Sequence, residues 1–325
     1  MRAHLCPLSR LAGLAFAAVA LLSSTALAEP PVRVTYKSAL AGTAYHQMGG
    51  ELAQAIQAGS AGALLLSSEE SQGSVQNIME VMHRQGLYVF TAPPALIAEA
   101  LEGQGPFAGR DPEHFAAIRG LFPVPPLTMH FVMAGDRGTA PIEALEGKHV
   151  LLGRGTFSSG EAARYFELFG LTGKVRLADA SITNASEALR DGRIDAYVTA
   201  SSFPTPNVME TASLVPITLI SLSDEQVERT GAVRQIIPGG TYPGIDKRVV
   251  TTSSPVFALA TVHMDEDVAY RLTKTFWEQQ AALTETSPWW GSVTAELLAH
   301  LPVDLHPGAL RYYDEADVEL PEALR

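Results

Sequence analysis

The residues best placed to do chemistry are hydroxyls and phenols on two glycine-rich turns. One is Gly42-Thr43-Ala44-Tyr45-His46-Gln47-Met48-Gly49-Gly50, and the other is Ile237-Pro238-Gly239-Gly240-Thr241-Tyr242-Pro243-Gly244-Ile245. Glycine lets backbone approach a small molecule closely, while Thr and Tyr offer directional hydrogen bonds and an aromatic face. The turns lie far apart in the chain, so a site using both is assembled from separate segments. Neither carries a nucleophile beside a base, which points to binding before catalysis. Thr43, Ser74 and Ser158 sit where predicted helices begin, and unpaired N–H groups and the helix dipole favour an anion there. Each also has a structural explanation. Thr43 and Ser74 suit helix caps, and Ser158 with Glu161 three residues on fits a capping box.

Gly153-Arg154-Gly155-Thr156-Phe157-Ser158 follows a predicted strand and superficially matches a dinucleotide fingerprint, but Ser158 replaces the third glycine. No nucleotide site is expected. Arg154 reads equally as a solvated surface charge or as the cation for a ligand carboxylate. The nine histidines form no metal pattern, and no Gly-x-Ser-x-Gly elbow occurs. No metal or cofactor is expected.

Hydrophobic periodicity supplies the elements that must hold these turns. A strand over 32–38 precedes a helix over 47–58, with Met48, Leu52, Ala55 and Ile56 on one face. An apolar strand over 63–68, a helix striped by Val75, Ile78, Met79 and Met82, a strand over 87–91 and a helix over 95–101 follow. This βαβαβα alternation predicts an α/β lobe with a mainly parallel sheet. Phe122-Pro123-Val124-Pro125-Pro126 interrupts it and reads as an inter-lobe crossing, since proline fixes its own φ and restricts its predecessor.

A strand over 127–134 leaves that crossing. Strands over 149–152, 175–178, 194–201 and 215–221 then accompany helices over 161–169 and 184–190. A strand over 255–262 re-enters the first lobe. Val268, Leu272 and Phe276 mark a long C-terminal helix, opened by Asp265-Glu266-Asp267, where acids meet the dipole favourably. Trp277, Trp289 and Trp290 read as packing residues. The helices at Thr43, Ser74 and Ser158 follow parallel-type strands, whose carboxyl ends are where open α/β sheets bind ligands.

Residues 1–28 read as a cleaved secretory leader, with Arg2 and Arg10 before an apolar stretch from Leu11 to Leu22 and an Ala26-Leu27-Ala28 cleavage site. That stretch is shorter than the about 20 residues a spanning helix needs. Cys6, the only cysteine, precedes it, so the processed chain has no disulfide or thiolate site. Without Arg2 and Arg10 the chain keeps 21 basic against 35 acidic residues, a net charge of −14. An acidic chain without basic runs argues against nucleic acid and anionic membranes.

Eight short motifs, in order, carry a resemblance. They are Gly42-Thr43-x-Tyr45 with Gly49-Gly50, Gly73-Ser74-Val75-x-Asn77, Gly105-Pro106-Phe107, Leu145-x-Gly147-Lys148, Ser159-Gly160, Asp191-Gly192-x-Ile194-Asp195-Ala196, Gly240-Thr241-Tyr242-Pro243-Gly244 and Leu305-His306-Pro307-Gly308-Ala309 with Tyr312-Tyr313. Over nearly the whole processed length the chain is similar to the TAXI family, the TRAP-associated extracytoplasmic immunogenic solute receptors. The resemblance implies an α/β fold of the type II periplasmic-binding-protein kind, with two α/β lobes and an interlobe ligand cleft. One lobe would comprise 29–128 with 253–325, and the other 129–252.

It further implies a monomeric periplasmic receptor, not an enzyme, that delivers a small solute to the membrane subunits of a tripartite ATP-independent periplasmic (TRAP) transporter. The expected ligand is a small carboxylate, either a glutamate-like amino acid or a 2-oxo or dicarboxylic acid. The expected ligand-binding residues are Thr43, Tyr45, Gly73, Ser74, Thr91, Arg154, Ser158, Ser159, Thr241 and Tyr242, with Arg154 or Lys37 supplying charge. Departures from the family pattern at Lys37-Ser38-Ala39, Ala44, His46 and Thr91-Ala92-Pro93 fall at strand ends facing the cleft and bear on which solute fits. A receptor serving an ABC transporter or a sensor kinase would share these features. An enzyme on the same lobes would add an acid, base or nucleophile constellation in the cleft loops, and none is visible.

N-terminal sequencing of exported protein is expected to read Glu29-Pro30-Pro31. A retained Met1 would overturn the leader and the compartment with it.

Overall fold

The computed structural model describes residues 30–324, so the leader expected over 1–28 lies outside the described residues. β1 (Val32–Lys37), α1 (Ala44–Gly59), β2 (Leu64–Glu69), α2 (Ser74–Glu80), β3 (Tyr88–Ala92) and α3 (Pro94–Glu102) alternate as the periodicity predicts. β2 and β3 flank β1, both parallel to it, with Val32 opposite Leu64 and Thr35 opposite Tyr88. Then come β4 (Ile118–Ala134), β5 (Gly138–Ala140), β6 (His149–Leu151), α4 (Phe157–Leu168), β7 (Arg176–Ala178), α5 (Ala185–Arg190) and β8 (Ala196–Ser201). α6 (Pro206–Leu214), β9 (Ile217–Ile220), α7 (Asp224–Thr230), β10 (Val233–Ile237), β11 (Val249–Thr261), α8 (Glu266–Thr286) and α9 (Pro307–Glu315) complete the chain.

The strands form one curled mixed sheet, in the order β2-β1-β3-β11-β4-β8-β6-β7, with β10 beside β11 and β9 beside β4 and β5. β6 is parallel to both β7 and β8, whereas β11 and β4 are antiparallel to each other and to β3 and β8 respectively. Buried apolar side chains fall into separate clusters. One draws on residues 34–127 and 256–324, and two others on residues 129–250.

α1 shows why these residues take helical form. Ala44, Met48, Leu52 and Ile56 recur every fourth position and are all buried, as a core-facing stripe requires. Gly49 belongs to that face because α1 lies close over the strand ends. A Cβ there would sit 2.5 Å from Ser68 Oγ and 3.2 Å from Ser38 Cβ. The helix begins at Thr43, whose hydroxyl accepts the His46 N–H at 3.3 Å, the expected cap.

The other expected caps differ. Gly73, not Ser74, is the N-cap of α2, at a φ of 104° that favours glycine. Thr156, not Ser158, caps α4, accepting the Ser159 N–H at 3.2 Å. Glu161 therefore closes no capping box and instead pairs with Arg164 at 2.8 Å.

The proline-rich segment also differs from expectation. It is not a turn from which a strand over 127–134 departs but lies within one strand, β4, which pairs with β11 along much of its length. Three features make prolines tolerable there. The register with β11 shifts between Ser254 and Val256, so Pro125, Pro126 and Pro255 fall within a bulge rather than at ladder positions. On its other side β4 pairs with β8 only from Thr128 onward, so the missing N–H groups face no strand. Finally, Tyr45 OH donates to the carbonyl of Pro125, and Ser202 Oγ donates to that of Pro126 at 2.8 Å.

α8 closes the same face. Phe276 stacks on Phe122 with ring centroids 4.1 Å apart. Glu51 on α1 accepts from Ser287 Oγ at 2.7 Å, Trp290 Nε1 at 2.8 Å and Trp289 Nε1 at 3.2 Å, tying α1 to the segment after α8. Among the described residues, no helix is long and apolar enough to cross a membrane.

Glu51→Ala removes the acceptor for two indoles, one of them wholly buried. A loss of about 1–3 kcal/mol is expected for each buried donor left unpaired, read as a lower urea midpoint by tryptophan fluorescence. An unchanged midpoint would show that water replaces the carboxylate at no cost.

Candidate functional site

A cavity of about 100 Å³ opens at the carboxyl ends of the parallel strands. From one side it is lined by Ser38 and Ala39 after β1, by Thr43 and Tyr45 at the start of α1, by Gly73 and Ser74 at the start of α2, and by Thr91 near the end of β3. From the other side come Thr156, Phe157 and Ser158 at the start of α4, Thr199 and Ser201 on β8, and Thr205 and Asn207 at the start of α6. Leu127 of β4 joins the two halves. Among the described residues, none of the lining side chains is charged.

The polarity comes from helix starts. The N–H groups of Ala44 and Tyr45 on α1, and of Phe157 and Ser158 on α4, lie in first turns where no intrahelical acceptor exists, and among the described residues no other acceptor reaches them. Side chains add hydroxyls. Ser201 is 5% exposed, and its buried Oγ finds no hydrogen-bond partner among the described residues. Thr91 Oγ1 donates to the Lys37 carbonyl at 3.1 Å and accepts from Asn77 Nδ2 at 3.0 Å, which fixes the ends of β1 and β3 relative to α2. Asn77 is wholly buried and also donates to the Ser38 carbonyl at 3.1 Å.

Six of the ten expected residues thus meet at one cavity: Thr43, Tyr45, Gly73, Ser74, Thr91 and Ser158. The other four lie elsewhere. Arg154 is 80% exposed and faces Asp179 at 3.4 Å. Ser159 gives its N–H to the Thr156 cap and does not line the cavity. Thr241 donates to the Pro238 carbonyl at 2.7 Å and lines a separate recess with Pro126, Thr128 and Trp289. Lys37, the other suggested cation, is buried with its ammonium between Glu69 at 2.6 Å and Glu80 at 3.2 Å. The bond from Lys37 holds the Glu69 carboxyl below its ordinary range.

Tyr242 sits one hydrogen bond behind the lining. Its hydroxyl accepts the Thr205 N–H at 3.0 Å and donates to His130 Nε2 at 2.8 Å. His130 Nδ1 meets the Thr128 carbonyl at 2.9 Å and must be the protonated nitrogen, because a carbonyl only accepts. Burial of this neutral ring pushes its pKa down to about 4. The chain His130–Tyr242–Thr205 therefore fixes the start of α6, where Thr205 and Asn207 line the cavity. α6 escaped the periodicity because its stripe is short. Its signal was Thr205-Pro206, a capping residue followed by proline at the first helical position.

The model of one family matches residues 38–316, a span that contains all eight motifs. The chain belongs to the NMT1-like family. Among solved structures, this NMT1-like protein shares its fold with the periplasmic binding protein BugD, at a TM-score of 0.55 and 14% identity over 90% of this chain and 99% of that one. The expected periplasmic-binding-protein architecture is thereby met. Looser matches include a TRAP periplasmic solute-binding protein of Shewanella oneidensis with bound succinate (TM-score 0.46, 12% identity, 88% and 92% of the chains). Another is DctP7, a Bordetella pertussis extracytoplasmic solute receptor binding pyroglutamic acid (TM-score 0.45, 13% identity, 88% and 93%).

His130 gives this NMT1-like protein a pH-dependent stability. The unfolded imidazole titrates near 6.5 and the folded one near 4, so between them the unfolded chain binds more protons. The contribution is full above pH 6.5 and is lost as pH falls towards 4, by about 3 kcal/mol in all. Urea unfolding of His130→Gln across that window is expected to show a flatter pH slope than the wild type. Identical slopes would mean that His130 titrates normally in the folded state.

Proposed function

We propose that this chain is an extracytoplasmic solute receptor of the TAXI type, which binds a small carboxylate and hands it to a TRAP-type secondary transporter. The observation that carries the reading is the cavity itself, uncharged in its side chains yet ringed by helix N-termini and hydroxyls. Unpaired first-turn N–H groups and helix dipoles favour a carboxylate without any lysine or arginine. With Arg154 in solvent and Lys37 neutralised by two glutamates, the backbone of α1 and α4 becomes the source of positive potential. The contacts proposed are those of Thr43, Tyr45, Gly73, Ser74, Thr91 and Ser158, joined by Thr156, Ser201 and Asn207.

Catalysis is disfavoured by the same lining. Ser158 and Ser201 stand among hydroxyls, amides and apolar groups, with no His, Asp, Glu, Cys or Lys beside them in the cavity to take a proton. A serine without a base remains a neutral hydrogen-bonding group. Among the described residues, no group of three or more His, Cys, Asp or Glu could hold a metal ion.

The lobes proposed are 29–128 with 253–325, and 129–252, which agrees with how the buried apolar clusters divide. Their hinge would be the bulge that gathers Pro125, Pro126 and Pro255, where the ladder is already interrupted. Closure about it brings the starts of α1 and α4 onto one solute, as in other clefts that shut on small molecules. Export to the periplasm as a monomer completes the proposal.

Calorimetry and thermal shift with short carboxylates, alongside scattering, test this reading. A solute at a hundredfold excess over Kd is expected to stabilise the protein by about 2.7 kcal/mol and to reduce its radius of gyration. A tight uncharged solute, with every carboxylate silent, would sink the carboxylate reading. Tight binding without compaction would remove the hinge.

A further inference from the structure

The recess that takes Thr241 has a volume of about 240 Å³ and lies across β4 from the cavity. Leu127 lines the cavity, while Pro126 and Thr128, on either side of it in the same strand, line the recess, as successive strand residues point to opposite faces. We infer that this recess is a separate binding site, for a small neutral heteroaromatic molecule about the size of indole. It shares no lining residue with the cavity, so it stands or falls apart from the carboxylate reading.

Rings make its walls. Phe203 and Trp289 border it together with Pro126, Pro204 and Pro288. Trp277 and Trp290 both lie against Phe276, with ring centroids 5.2 Å and 6.2 Å away. Among the described residues, Trp289 and Phe203 have no such aromatic neighbour. Trp289 Nε1 donates to Glu51 at 3.2 Å, so this indole is held by its edge and its place in the wall is fixed. A ring gains from a second ring packed offset or edge-on, and the recess leaves room for one beside Trp289.

Size and charge set the class of molecule. A cavity of about 150 Å³ holds benzene, with about six non-hydrogen atoms, so about 240 Å³ admits roughly ten, and indole has about nine. Among the described residues, no charged side chain lines the recess. An ionised occupant would lose hydration there and gain no counter-charge.

The polar groups present are neutral. Gln235 gives one amide N–H to the Ile236 carbonyl at 3.1 Å and keeps its own carbonyl oxygen, which can accept from a ring N–H. Thr241 donates to the Pro238 carbonyl and keeps lone pairs that accept. The second glycine-rich turn, absent from the cavity lining, thus contributes to this recess instead.

Calorimetry on the wild-type protein at neutral pH, with indole, 1-methylindole, tryptamine and indoxyl sulfate, tests the site. Indole is expected to bind at least tenfold more tightly than the charged tryptamine or indoxyl sulfate. Silence from indole would overturn the inference, and a charged relative binding as tightly would overturn the neutral class. Ser292→Phe puts a ring into the recess from an exposed position and is expected to weaken indole at least tenfold, with the melting temperature as the control for folding. Unchanged affinity in that variant would place indole elsewhere and overturn the inference as well. Gln235→Ala is expected to weaken indole at least fivefold and to leave 1-methylindole, which has no N–H, unchanged. Equal losses for both would remove Gln235 as the partner of the ring N–H.

Discussion

The antiparallel pair of β4 and β11 joins the sheet halves, because β3 attaches to β11 on one side and β8 attaches to β4 on the other. Parallel strands fan outward from both, and their carboxyl ends border the same cavity. A pair in that position is a constraint as well as a support. It has to be continuous enough to hold the halves together and interrupted enough to bend. Three prolines gathered in one bulge meet both demands, since they sit off the ladder while Val124, Pro123 and their neighbours keep their pairing with β11. Two carbonyls released there accept from the hydroxyls of Tyr45 and Ser202, whose neighbours Ala44 and Ser201 belong to the start of α1 and the end of β8. The crossing and the walls of the cavity are thus fixed by the same hydrogen bonds.

The electrostatics follow a similar economy. A lysine at the end of β1 stands at the obvious place for an anion-binding cation, yet its ammonium turns to Glu69 and Glu80. Two carboxylates satisfy a buried ammonium better than one transient ligand would, and a lysine facing an empty cavity would otherwise be a buried charge without a partner. Helix N-termini avoid that difficulty. Their N–H groups are fixed by the fold, carry only partial charge, and tolerate water when no solute is bound. A neutral lining over oriented dipoles would therefore suit the proposed receptor whether empty or occupied.

Much of this was legible in the sequence. Met48, Leu52 and Ile56 on α1, the apolar run of β2 and the acidic start of α8 at Asp265 read correctly because each is a local pattern imposed by local geometry, whereas Ala55, placed on the same stripe, is not among the buried residues of α1. The proline segment misled for a physical reason. Proline excludes itself from a ladder only where a ladder bond is required, and whether a bulge removes that requirement depends on a partner strand more than a hundred residues away. The caps of α2 and α4 shifted by one and two residues because Gly73 and Thr156 could also serve, and spacing alone does not choose between them. Lys37 and Arg154 show the same limit for charge, since a sequence gives the sign but not the counter-ion.

The two Gly-Thr-Tyr turns bring that limit to the site itself. Both tyrosines are buried, and a buried phenol must find a partner. Tyr45 finds the Pro125 carbonyl and still shows its ring to the cavity; Tyr242 finds Thr205 and His130 and shows the cavity nothing. Identical local chemistry thus reaches two different ends, one facing the cavity and one holding in place residues that line it. What separates them is His130. Its unprotonated Nε2 gives the Tyr242 hydroxyl somewhere to donate, which frees the phenol oxygen to accept the N–H at the start of α6. With a protonated or absent imidazole that alignment is lost, and with it the bond that holds the N–H at the start of α6, whose Thr205 makes no capping bond of its own. The second turn therefore acts on the cavity through the helix start it supports, and its sequence likeness to the first reflects a shared need to satisfy buried hydroxyls rather than a shared contact.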